Sequence, residues 1–127
     1  MQKSVLVFGF LLLTAGLAAA DSLDDAIAAV DTATHAAPGY YMINCAHPTH
    51  FAATLALGET WTARIGGIRA NASCKSHAEL NAATELDRGD APALAQQYSE
   101  LRRKLPQIRV IGGCCGTDHR HVAAIAE

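Results

Sequence analysis

The residues best able to do chemistry are the four cysteines, Cys45, Cys74, Cys114 and Cys115, in a chain of 127 residues. Two are adjacent, in "VIGGCCGTDHRH" (110–121), at the end of an apolar run and flanked by Gly112, Gly113 and Gly116. Such a pair can be a disulfide, a redox couple, buried filler or metal ligands. A disulfide between neighbours closes a strained ring through one peptide bond, which ordinary disulfide geometry disfavours. A free cysteine is often just a small buried hydrophobe. Adjacent residues of a regular strand point to opposite faces, so both thiols can reach one ion only where the backbone leaves strand geometry. The flanking glycines permit that departure. With Cys45 at the end of another strand, three thiols could converge on one ion. Zinc takes cysteine sulfur at about 2.3 Å, and catalytic zinc sites commonly use three protein ligands and keep a fourth position open. Cys74 as a fourth ligand would close the site; otherwise it packs at a helix start.

The remaining candidates are weaker. His47 and His50 follow Cys45 in "NCAHPTH", a spacing compatible with metal binding. His119 and His121 stand two apart on a predicted helix and so do not share a face. Solvent exposure or local capping is the plainer role for all four. Asn44 and Asn71 end neighbouring strands. Their amides could hold a substrate, orient a thiolate or satisfy loop backbone.

The elements that would position these residues alternate along the chain. "DSLDDAIAAVDTATH" reads as a helix capped by Asp21 or Ser22, with Leu23, Ile27 and Val30 on one face. "GYYMIN" (39–44) is β-rich, a short helix starts near Pro48, and 62–73 reads as a strand with an internal glycine pair. A capping box from Ser76 to Glu79 opens a helix that Gly89 should close. "APALAQQYSELRRKLP" is a helix stopped at Pro106; "QIRVIGG" is the last strand, and Thr117 or Asp118 caps a final helix. The order β-α-β-α-β-α-β-α predicts an α/β fold with a parallel sheet and right-handed crossovers. Sites in such folds gather at strand C-terminal ends, where Asn44-Cys45, Asn71 to Cys74 and Cys114-Cys115 all fall.

Composition excludes some functions. A net charge of -2 leaves no basic footprint for nucleic acid. The one basic cluster, "LRRKLP" (101–106), suits a solvated helix C-terminus. Residues 1–20 form an apolar N-terminal segment with Lys3 and a small-residue "LAAA" end, the pattern of a secretory signal peptide. The alternative is a buried parallel strand over Ser4–Leu13. The run is too short to predict a membrane span. An exported thiol-redox protein would suit a cleaved signal, with Cys114 and Cys115 cycling as a disulfide.

"YYMINCAHPTHF", "GIRANAS…SHAELNAATELDRGD" and "VIGGCCGTDHRHVAAIA" resemble the C-terminal half of the zinc-dependent homocysteine S-methyltransferases. The similarity runs from about Ser22 to the end, so that 21–127 is expected to be the C-terminal half of a homocysteine-binding methyltransferase domain. The resemblance implies parallel βα units forming about half of a (β/α)8 TIM barrel, whose whole needs about 250 residues. It implies zinc ligation by Cys45, Cys114 and Cys115, with Cys74 outside the ligand set. It further implies a cytoplasmic enzyme that passes a methyl group from a donor such as S-methylmethionine to homocysteine, giving methionine. The family's N-terminal half has no counterpart in the sequence, and the N-terminal apolar run then reads as an eroded strand. A half-barrel leaves open strand edges, so the chain is expected to self-associate or to need a missing N-terminal half. The rival readings are a zinc-binding module without catalysis and an inactive fragment.

Overall fold

Short runs carrying β-branched or aromatic residues make the strands, because such side chains suit a pleated, half-buried surface. The computed structural model describes residues 5–6 and 22–127. Its sheet contains β1 (Val5–Leu6), β2 (Tyr41–Ala46), β3 (Ile65–Ala70) and β4 (Val110–Gly113), side by side in that order. β2, β3 and β4 are parallel, as the βα alternation predicts, with Ile43, Ile68 and Ile111 in register across them. β1 departs from the expectation: it runs antiparallel to β2, with Val5 opposite Ile43 and Leu6 opposite Met42. The crossover rule governs parallel pairs, and an apolar run by itself carries no direction. The signal-peptide and strand readings of residues 1–20 otherwise lie outside the described residues.

The helices are α1 (Leu23–Thr34), α2 (Ala52–Leu55), α3 (His77–Ala82), α4 (Ala91–Lys104) and α5 (His119–Ala126). Ser22, Ser76, Asp90 and Asp118 cap α1, α3, α4 and α5, each accepting a backbone N–H of the first turn. Two 3₁₀ turns, Pro48–His50 and Thr60–Arg64, stand where a helix start and a strand start are predicted. α3 has its capping box but ends at Ala82 instead of continuing to Gly89. It buries none of its residues, and a helix without an apolar face to pack has little to extend it.

One core joins the sheet to the helices. Leu23 and Ile27 of α1, Leu94, Tyr98 and Leu101 of α4, and Ile125 of α5 pack with Ile43 and Ile68. Tyr98 also ties β3 to β4: its hydroxyl accepts the Ala70 N–H at 3.0 Å and donates to Gly112 O at 2.6 Å. The alternate strand residues belong to the other face, where Arg69 and Val110 are exposed and Met42 and Asn44 half-buried. Arg102, Arg103 and Lys104 form the exposed last turn of α4, as the solvated-face reading predicts. No helix among the described residues is long and apolar enough to cross a membrane.

Candidate metal centre

The C-terminal ends of β2 and β4 bring three thiols together. The Sγ atoms of Cys45, Cys114 and Cys115 all lie within 4.8 Å of one another, with Cys45 and Cys115 at 3.5 Å. Sulfurs arranged tetrahedrally at 2.3 Å from one ion stand about 3.8 Å apart, so the donor set and its spacing fit zinc. Cys74 is exposed and outside this group.

On β2 the register with β3 passes from Asn44 opposite Arg69 to Ala46 opposite Ala70, leaving Cys45 as an extra residue in a bulge. Bulges re-aim side chains beside functional sites. Cys45 has φ 62°, the left-handed region that costs a residue with a Cβ about 1–2 kcal/mol.

β4 ends at Gly113, so Cys114 and Cys115 already belong to a turn. Cys114 N–H donates to Ala70 O at 2.8 Å, and the Thr117 hydroxyl donates to Cys114 O at 2.7 Å. Gly116 has φ 78°, and a Cβ there would meet the Asp87 carbonyl. A Cβ at Gly113 would strike the Thr117 side chain, whereas at Gly112 its nearest neighbour is Arg69 Cγ at 4.0 Å. Two of the three flanking glycines are therefore required, and Gly112 is not.

Burial first, then hydrogen bonds with Cys115 and Cys114, push the Cys45 thiol up to about 12. A divalent ion held by the three sulfurs would oppose that shift and favour the Cys45 thiolate.

Asn71 is 2% exposed, and its amide joins the two thiol-bearing segments. Nδ2 donates to Cys45 O at 3.0 Å, and Oδ1 accepts Cys115 N–H at 3.2 Å. Its contacts are thus those of the loop-satisfying alternative. Asn44 differs: its Oδ1 is buried without a hydrogen-bond partner among the described residues. The histidines of "NCAHPTH" are occupied elsewhere. His47 caps the turn Pro48–His50 through Nδ1, and His50 Nε2 donates to Cys74 O at 2.8 Å. His121 completes the capping box with Asp118 and reaches Arg88 O at 2.8 Å, while His119 is exposed.

Sequence reasoning missed His77. Its Nε2 donates to Cys45 O at 2.7 Å, across 32 residues. The local signal "SHAEL" shows only a helix cap, and nothing in it names the distant carbonyl.

The model of the homocysteine S-methyltransferase family matches residues 6–127. No curated protein and no solved structure gives a match.

Proposed function

Because the chain belongs to the homocysteine S-methyltransferase family, we propose that Cys45, Cys114 and Cys115 hold zinc for methyl transfer to homocysteine, giving methionine. The observation that carries this reading is the convergence of those three thiols from two strand ends inside the family match. When bound, zinc supplies the positive charge that keeps a substrate thiol as a thiolate at neutral pH, with a fourth position left open to it. Cys45, Cys114 and Cys115 would be its ligands, held at the ends of β2 and β4. Asn44 Oδ1, a buried acceptor without a partner among the described residues, is suited to receive the amino group of the amino-acid substrate. In the transfer, the homocysteine sulfur forms a bond to the methyl carbon as the donor's own bond to that carbon breaks. With a sulfonium donor such as S-methylmethionine, the electron pair stays on the donor sulfur, which leaves as a neutral thioether.

The βα units are assigned to about half of a (β/α)8 barrel. Parallel sheets are ordinarily covered on both faces, yet Arg69 and Val110 lie exposed on the second face here, and β4 pairs only with β3 among the described residues. The chain is therefore expected to self-associate or to need a complementary half, and a monodisperse monomer in sedimentation at micromolar concentration would contradict this.

The zinc-loaded chain, given homocysteine and S-methylmethionine, should form methionine, and the Cys45→Ser variant should not. Stoichiometric zinc with no response to homocysteine in a cobalt-substituted sample would replace catalysis with a zinc-binding module.

A further inference from the structure

We infer that Asn71 and His77 are positioning residues that hold Cys45 in its left-handed conformation, so that the three thiols are gathered before any metal arrives. The inference rests on the zinc reading only for its purpose, since the geometry belongs to the metal-free chain. An extra residue in a bulge is left out of the ladder, so its carbonyl must find other donors. The Cys45 carbonyl finds two, Asn71 Nδ2 at 3.0 Å and His77 Nε2 at 2.7 Å. A carbonyl oxygen has two lone pairs, and both are used.

The same Asn71 amide accepts Cys115 N–H at 3.2 Å, so one buried side chain sets the distance between the two ends. His77 is the first residue of α3, where the Ser76–Glu79 capping box fixes the first turn. His50 returns the connection, donating from the turn after β2 to Cys74 O at 2.8 Å. The two connections are thus tied crosswise, His77 to the end of β2 and His50 to the segment after β3. Because a carbonyl can only accept, Nε2 of each carries the hydrogen. His77 is exposed and α3 buries none of its residues, so replacing His77 removes its bond to Cys45 without opening the core.

The test uses the metal-free full chain in a Cys74→Ser background, oxidised with diamide. Two thiols lose their protons and two electrons to form one S–S bond, and the azo group of diamide is reduced to the hydrazine. Mass spectrometry follows the rate of the Cys45–Cys115 cross-link, while a chelator competition gives the zinc affinity.

Asn71→Ala and His77→Ala should slow the cross-link and weaken zinc by about 10–100-fold, the range for residues that orient metal ligands. His77→Gln, which keeps a donor, should restore much of both. His50→Ala should do less, because it does not touch Cys45. If removing buried Asn71 unfolds the chain, His77→Ala carries the test alone. Wild-type cross-linking and wild-type zinc affinity in His77→Ala would overturn the inference. A parent chain that binds no zinc, yet cross-links faster than its variants, would sink the zinc reading and leave this one standing.

Discussion

At the end of β4 glycine does the bending, whereas at the end of β2 a cysteine adopts a conformation that glycine would accept more readily. Gly113 and Gly116 give Cys114 and Cys115 a relaxed turn, closed by bonds from Thr117 to the Cys114 carbonyl. Cys45 has no such help from its neighbours and stands in a bulge at φ 62°. Its conformation is maintained from outside, by Asn71 and His77. A turn built from glycines is encoded locally, while a strained ligand depends on the rest of the fold being in place.

The largest effect should come from removing ligands. Cys45→Ser, Cys114→Ser and Cys115→Ser should each weaken zinc by more than about 100-fold, beyond the range for outer-shell partners. Cys74→Ser should leave the affinity unchanged, as read in a chelator competition. Equal losses at all four cysteines would dissolve the distinction between the triad and Cys74.

Backbone substitutions probe the contrast itself. Gly116→Ala places a Cβ at positive φ against the Asp87 carbonyl and should lower stability by roughly 1–3 kcal/mol in chemical denaturation. The other strand end should answer in the opposite sense. In the metal-free protein, Cys45→Gly should be about 1–2 kcal/mol more stable than Cys45→Ser, because glycine accepts the left-handed region freely. If Cys45→Gly is no more stable than Cys45→Ser, the bulge on β2 holds no strain.

The smallest effect concerns Asp87, whose carbonyl backs Gly116. The Gly89 N–H, then Lys75 and Ser73, hold its carboxyl at about 2, against an ordinary 3.8. A lowered value means the ionised form favours the fold. That contribution is complete above an ordinary carboxylate pKa and disappears as pH falls from 3.8 towards about 2. Denaturation midpoints across that window should fall less steeply for Asp87→Asn. An unchanged slope would show that these contacts are not maintained in solution.

Much of this was legible in the residues. The cysteine pair between glycines, the strand ends that carry it and the Ser76–Glu79 capping box are local patterns, and local patterns survive the reading of one sequence. The triad needed one long-range step, that parallel strands bring their C-terminal ends together, and the parallel β2–β3–β4 sheet supplies it. What stayed hidden depends on tertiary partners. The bulge at Cys45 arises from register with β3, and the bond from His77 spans 32 residues. The antiparallel direction of β1 is not written in its residues, because hydrophobicity marks burial without polarity. The helix expected to run to Gly89 ends early for a different reason, since capping starts a helix but packing sustains it.

The central claim is that three cysteines form one metal centre with a position left open for a substrate sulfur. X-ray absorption at the zinc edge of the loaded protein tests it directly. The expected result is three sulfur neighbours at about 2.3 Å with one lighter atom, becoming four sulfurs on adding homocysteine. Two sulfurs or fewer, or a shell of four before homocysteine is added, would contradict it.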